Sequence, residues 1–325
     1  MPAQPRDEEF RRQLEPLRRA ITLHCYRMLG SLEDAEEVVQ ETMLKAWQRL
    51  PEVRSSGSQK AWLYKIATNA CLDFLKSRRR RTLPHLVEAP ATEGPWLEPL
   101  PDALLDVADD EQHGPEARRS MRESVSLAFV AAIQSLTPKQ RAVLLLVDVL
   151  GWNPREAAEL LETNVVSVNS LLQRARNGVE GRAPDAMAPA TDSIADQDLL
   201  RRYITAWESG DLDAFTALLA DDAILSMPPE PVWYAGPAAI RRFLGTVLPA
   251  WVGQYRLLPL RANGSLAVAV YRQSSIGQPH EAAAITLLST RHGRIAQMVR
   301  FASPKLFPRF GLPDRLHSSN APAAG

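Results

Sequence analysis

The chain has 325 residues and balances 38 basic against 38 acidic side chains, a length that calls for two or three domains rather than one. Its two cysteines, Cys25 and Cys71, exclude a disulfide framework and a four-cysteine zinc site, and both fall in apolar helical patterns where inert buried thiols are expected. The opening MPAQPRDEEFRRQ lacks the apolar run of a secretion signal and the longest apolar stretch, around 142–147, is too short to span a bilayer, so a cytoplasmic protein with no membrane partner is expected.

The even charge total conceals a local pattern. Residues 54–81 hold eight Lys/Arg against one acid, Asp73, whereas 85–116 hold nine acids and no Lys/Arg. Blocks of opposite sign this close together imply two surfaces with different partners, and leave nucleic-acid binding open despite the zero net charge.

In chain order, residues 8–81 are helical in pattern. Phe10, Leu14, Leu17, Ile21, Cys25 and Met28 share one face. Gly30 stops that helix and Ser31 caps the next, with Asp34 at its third helical position. The second helix aligns Leu32, Ala35, Val38, Val39, Thr42, Met43, Ala46 and Trp47 on one stripe, and its other face is acidic through Glu33, Asp34, Glu36, Glu37 and Glu41. A third helix runs through AWLYKIATNACLDFLKSRRRR, with Trp62, Ile66, Ala70 and Leu72 or Leu75 turned inward. Residues 82–115 combine six prolines with the acidic excess and keep no period, which reads as an extended linker.

Helical periodicity returns over 116–180. One long helix is expected at 116–135, and Thr137 caps another that begins at Pro138. NPREAAELL and VVSVNSLLQRARNGV follow, joined by Glu162-Thr163-Asn164, which fits a helix-turn-helix. A second linker covers 181–193. Beyond it, helices are expected at 194–209, 212–220 and 236–248, and strands at 222–227, 254–260, 266–272, 282–290 and 294–301. This predicts an α+β domain with a curved antiparallel sheet over 194–312, ahead of a tail at 313–325. The first 180 residues contain no P-loop, GxGxxG or HExxH motif.

Three segments, DAEEVVQETMLKAW at 34–47, QKAWLYKIATNACLDFLKSRRRR at 59–81 and LTPKQRAVLLLVDVLGWNPREAAELLETNVVSVNSLLQRAR at 136–176, together resemble regions two and four of extracytoplasmic-function sigma factors. The resemblance implies two all-α modules, core RNA polymerase and promoter DNA as partners, and neither catalysis nor a cofactor. An acidic helix face suits a basic protein surface rather than phosphates. By motif position Asp34, Glu37, Gln40, Glu41 and Trp47 would contact the polymerase. The basic end Lys76, Arg78, Arg79, Arg80 and Arg81, beside Trp62, Tyr64 and Asn69, combines phosphate attraction with stacking on unpaired bases. The resemblance implies that this helix captures extruded bases of the −10 element, offsetting part of the cost of melting.

In the second module Ser167, Asn169, Ser170, Gln173, Arg174 and Arg176 would face the −35 element, where Asn, Gln and Arg read base edges and Ser and Arg hold phosphates. Leu160, Val168 and Leu172 would face the module's core. Many relatives carry a basic residue where Leu171 stands and another near Asn169, which implies fewer phosphate contacts here. Plainer readings stay beside these: a solvated acidic face, a basic helix end favoured by its own dipole, and a helix pair that meets only protein. The linker is either a simple tether or a segment that mimics nucleic acid inside the polymerase.

Residues 194–312 resemble the SnoaL-like, ketosteroid-isomerase-like cone family through DLLRRYITAWESGDLDAFTALLADDAIL, the WYAG turn before a helix, and the ending FASPKLFPRFGLP. The resemblance implies a conical apolar pocket, for which Tyr203, Trp207, Met227, Trp233, Tyr234, Phe243, Tyr271, His280 and Met298 are candidate lining residues. An enzyme of this fold needs an Asp or His base inside the cone. Asp221 and Asp222 fall in a helix-to-strand turn, and His280-Glu281 at a strand start, so regulatory docking is expected, with a small ligand or regulator as a further partner. No metal site is expected. Two readings from other classes stay open: a helix-turn-helix regulator that binds DNA without polymerase, and a SnoaL-like enzyme with a DNA-binding arm.

Overall fold

A computed structural model describes residues 5–50, 56–81, 97–105, 122–180, 193–228, 230, 233–247, 253–275 and 277–316. The chain divides into two units, one formed by Met1–Glu98 and Ala103–Pro184, the other by Pro99–Asp102 and Asp185–Gly325. Most of the linkers expected at 82–115 and 181–193 lies outside the described residues.

The first unit is helical. It begins with α1 (Pro5–Gln13), α2 (Arg18–Leu29), α3 (Leu32–Arg49) and α4 (Ser56–Arg81). Helix α2 ends at Gly30, whose φ of 79° lies in the left-handed region where a missing Cβ removes the penalty. Ser31 caps α3 by accepting the Asp34 amide at 3.1 Å. Ile21, Cys25, Met28, Val38, Met43, Leu63 and Cys71 are buried in this module. Both cysteines are free, and burial pushes the Cys71 thiol well above its usual pKa.

The single helix expected over 116–135 is interrupted. Residues 122–125 are helical, but Ser126 leaves helical geometry with ψ 143° and caps α5 (Leu127–Gln134) through the Phe129 amide. Helix α6 (Pro138–Leu144) starts in a capping box between Thr137 and Gln140 and continues as a π-turn, Leu145–Val149. Asn153 caps α7 (Pro154–Leu160) and Asn164 caps α8 (Val165–Val179). The short turn between them closes because Glu162 adopts φ 51°.

Two buried arginines tie the helices of this unit together. Arg27 donates to the Ser124 carbonyl at 3.2 Å and hydroxyl at 2.8 Å. Arg141 donates to the carbonyls of Ile133 at 3.0 Å, Gln134 at 3.0 Å and Leu136 at 3.2 Å, and also to that of Met28. Burial lowers both guanidinium pKa values to about 10; the carbonyl acceptors are what makes burial of the charge tolerable.

The second unit packs α9 (Ile194–Ser209), α10 (Leu212–Ala217) and α11 (Pro237–Val247) with a seven-stranded sheet. Its strands are β1 (Leu219–Ser226), β2 (Trp233–Ala235), β3 (Tyr255–Ala262), β4 (Ser265–Gln273), β5 (His280–Arg291), β6 (Arg294–Phe301) and β7 (Arg315–Leu316). The order is β2-β1-β6-β5-β4-β3, with β7 beside β5. The sheet is mixed rather than wholly antiparallel, because the long path through β2, α11, β3, β4 and β5 returns β6 parallel to β1, Leu225 opposite Met298. Strand β4 is buried on both faces. Val268 and Val270 join the core under the helices, while Tyr271 points the other way and meets Phe307 of the turn Pro304–Phe310 edge-on at 5.0 Å.

The β3–β4 hairpin turns at Asn263 and Gly264, both at positive φ, 54° and 70°, the geometry that two-residue hairpins prefer. Against this turn lies Pro99–Asp102, which belongs to the same unit. Pro101 bridges Ala262, and Asp102 accepts the Gly264 amide at 2.8 Å and faces Arg261 at 3.5 Å.

Candidate functional site

Helix α3 is split by burial. Ala35, Val38, Val39, Thr42, Met43 and Ala46 face inward; Glu37, Gln40 and Glu41 are exposed and Asp34 is half-buried. Asp34, Glu37 and Glu41 line a groove of about 510 Å³ to which α4 contributes Asp73, a further carboxylate that the helical pattern had not assigned to this face. Trp47 is engaged inside the protein, its Nε1 donating to Asp7 Oδ1 at 3.0 Å. It therefore tethers α1 to α3, while its ring is half-buried.

On α4, Trp62, Asn69 and Lys76 are spaced by seven residues, close to two helical turns, and form one stripe. Asn69 and Lys76 are exposed and Trp62 is half-buried. Tyr64 lies off this stripe and is only 2% exposed, its ring centroid 5.2 Å from His24 and 5.6 Å from Trp152. Burial raises its hydroxyl pKa to about 12. Tyr64 is thus a core residue in this conformation and presents no face for base stacking. Trp62 lines a cleft of about 540 Å³ with Lys60, Lys65, Trp152, Glu156 and Glu159, and Lys65 pairs with Glu162 at 2.9 Å. The helix backbone runs to Arg81, but the side chains of Arg78, Arg79, Arg80 and Arg81 lie outside the described residues.

Helix α8 buries Val168, Leu172 and Ala175 and exposes Asn169, Ser170, Gln173, Arg174 and Arg176, with Ser167 half-buried. Asn169 and Gln173 form one row and Ser170 and Arg174 the next, each four residues apart. Arg174 folds back along its helix, donating to the Ser170 hydroxyl at 3.1 Å and carbonyl at 3.2 Å. Arg176 makes a two-pronged pair with Asp148 at 2.7 and 3.0 Å, which raises its pKa. Arg176 is thus tied to a residue outside its own helix, whereas Arg174 is held only along α8.

In the second unit the helices and the concave sheet face enclose a cavity. Tyr203, Trp207, Met227, Phe243 and Met298 line it as expected from sequence. Tyr234 stacks on Phe243 at 4.2 Å beside the core rather than in the lining. Trp233 is 68% exposed on β2. Tyr271 sits on the opposite sheet face, with its hydroxyl donating to the Pro313 carbonyl at 2.9 Å. His280 would share a face with Ala284 by simple alternation. A bulge intervenes: Val270 pairs with Ala284 but Tyr271 with Ala282, so one extra residue turns His280 to the Tyr271 side. Asp221 and Asp222 are exposed and pair with Arg294 and Arg291. Among the described lining residues there is no carboxylate or histidine to act as a base. The lining residues that sequence reading missed include Tyr255, Thr286 and Arg300. Arg300 shares strand parity with Met298, which is the signal that could have found it.

Comparison with known proteins adds the following. Residues 14–81 match the Sigma-70 region 2 family, 126–177 match Sigma-70, region 4, and 200–298 match the SnoaL-like domain. The chain is 44% identical over 328 residues to the ECF RNA polymerase sigma factor SigG of Mycobacterium tuberculosis, covering 97% of this chain and 87% of that protein. It is 28% identical to SigJ of the same organism, another ECF sigma factor, over 93% and 95% of the two chains. The crystal structure of SigJ shares the fold, with a TM-score of 0.62 at 21% identity over 93% of this chain and 99% of that one.

Proposed function

The chain belongs to the extracytoplasmic-function RNA polymerase sigma factors, and we propose how its parts divide that work. As a member of that family it binds core RNA polymerase and directs promoter recognition; it is a transcription factor and not an enzyme. Asp34, Glu37, Gln40 and Glu41 form the polymerase-facing surface, with Asp73 extending it. The observation that carries this reading is the acidic groove between α3 and α4, which repels phosphates and suits a basic protein surface.

The stripe Trp62, Asn69 and Lys76, followed by Arg78, Arg79, Arg80 and Arg81, meets the −10 element. Tyr64 drops out of that set unless the cleft beside Trp152 opens. Asn169, Ser170, Gln173 and Arg174 meet the −35 element from the exposed face of α8. The cone regulates both modules. Support for this comes from Pro99–Asp102, which lies between the two modules in the chain yet packs on the cone's hairpin. No helix among the described residues is long and apolar enough to cross a membrane, and a cytoplasmic location goes with this function.

The test is co-purification with core polymerase. The double variant Asp34→Lys, Glu37→Lys should lose the polymerase while keeping native circular dichroism. Undiminished binding would remove these residues from the interface.

A further inference from the structure

The cone cavity contains buried polar groups with no partner among the described residues. Thr286 and Arg300 stand directly opposite each other on β5 and β6, so their side chains emerge on one face. It is the concave face, shared with Leu288 and Met298. Trp207 of α9 meets them from the helical layer, with the Arg300 guanidinium carbon 5.8 Å from its ring centroid. Trp207 is 7% and Thr286 2% exposed; Arg300 is half-buried as a residue, but its Nη1 is shielded from solvent. Trp207 Nε1, Thr286 Oγ1 and Arg300 Nη1 have no hydrogen-bond partner among the described residues. They are three of only seven such side-chain atoms among the described residues, and all three belong to residues lining this one cavity. Buried polar groups are almost always paired, so their convergence here calls for a missing acceptor.

The donor set selects the chemistry. An indole N–H and a guanidinium can only donate, and a threonine hydroxyl can donate. Burial holds the Arg300 pKa below its ordinary value, and the ionisable groups acting on it are Tyr203, Tyr255 and a second cation, Arg272. An anion would supply the negative charge that the lining lacks, through charge-assisted hydrogen bonds. The rest of the wall is apolar, including Phe215, Leu225, Phe243 and Met298. The space is about 60 Å³, well below the roughly 300–1,000 Å³ of ordinary ligand pockets, and admits only a few non-hydrogen atoms.

We propose that the cone binds a short-chain organic carboxylate, its carboxylate held by Arg300, Thr286 and Trp207 and its alkyl end against Leu225, Phe243 and Met298. This deepens the regulatory reading of the cone and rests on it only for any consequence in transcription.

The test uses the full-length chain without polymerase or DNA, so its failure is separate from failure of the promoter reading. Tryptophan fluorescence and melting temperature are followed while acetate, propionate or butyrate is added at constant ionic strength, with propionamide and butyramide as uncharged counterparts. The carboxylates should give a saturable response with Kd on the order of 0.1–1 mM, and the amides none. Arg300→Gln should weaken binding at least about tenfold. Thr286→Val, which keeps volume, should weaken it severalfold and decides the matter if Arg300→Gln does not fold. No saturable response to any carboxylate, an equal response to the amides, or unchanged affinity in the folded variants would overturn the proposal.

Discussion

Leu100 and Asn263, 163 positions apart in the chain, exchange two hydrogen bonds: the Leu100 amide donates to Asn263 Oδ1 at 2.8 Å, and the Asn263 amide donates to the Leu100 carbonyl at 2.9 Å. Asn263 is fully buried and holds φ 54° in the hairpin turn. One residue therefore both makes the turn and grips a segment that lies, in sequence, between the two promoter-reading modules. That segment is also anchored by Leu100, which is fully buried.

This relationship yields the first prediction. Asn263→Gly keeps the left-handed conformation, which glycine adopts freely, and removes the carboxamide whose Oδ1 accepts the Leu100 amide. Hydrogen exchange at the Leu100 amide should speed up by about tenfold or more, and promoter-dependent transcription should change relative to the native chain. Unaltered exchange together with unaltered transcription would mean that the contact restrains nothing.

The second prediction concerns base reading. Gln173→Ala and Arg174→Ala should each lower discrimination at the −35 element by about 1–3 kcal/mol and leave −10 preference intact. Arg176→Ala breaks the pair with Asp148 and should lower thermal stability with little change in preference. Competition binding of the polymerase complex to a promoter library separates these outcomes; a uniform loss across sequences for Arg174→Ala would assign that side chain to a phosphate.

A third prediction follows from His24. It is fully buried, with Nε2 2.9 Å from Thr68 Oγ1 and its ring against Tyr64. Burial, reinforced by the nearby Arg27, lowers its pKa from 6.5 to about 3. Between those pH values the unfolded chain binds a proton at this position that the folded chain refuses. Stability from this group is therefore full above about pH 6.5 and falls as pH drops toward 3, at no more than about 1.4 kcal/mol per unit. Urea melts of native chain and His24→Gln across pH 4–7 should show a shallower acid slope in the variant; parallel slopes would contradict the burial of a neutral ring.

Much of this molecule is legible in the residues themselves. Ser31 and Thr137 announce helix starts because a capping side chain acts within three residues. Helical period separates Val38 and Met43 from Glu37 and Glu41 for the same local reason. What escaped depends on contacts distant in sequence or on irregular pairing. Tyr64 looked like a free aromatic because Trp152, which covers it, lies in another module. Ser126 breaks a helix that periodicity alone would continue. His280 and Tyr271 looked like cavity residues, but one inserted residue in β5 and the cover supplied by Phe307 place them on the far side of the sheet. Arg300 was passed over because a charged residue in an apolar strand reads as facing solvent until the register with Thr286 is known.

The most direct measurement is run-off transcription with bacterial core RNA polymerase on a randomised promoter library, with and without the full-length chain. Transcripts should arise only when the chain is present, from templates sharing a −10 and a −35 element at fixed spacing, and the Asp34→Lys, Glu37→Lys variant should abolish them. Sequence-specific DNA binding by the chain alone, with no transcript from core polymerase, would contradict the assignment and identify instead a regulator that works without polymerase.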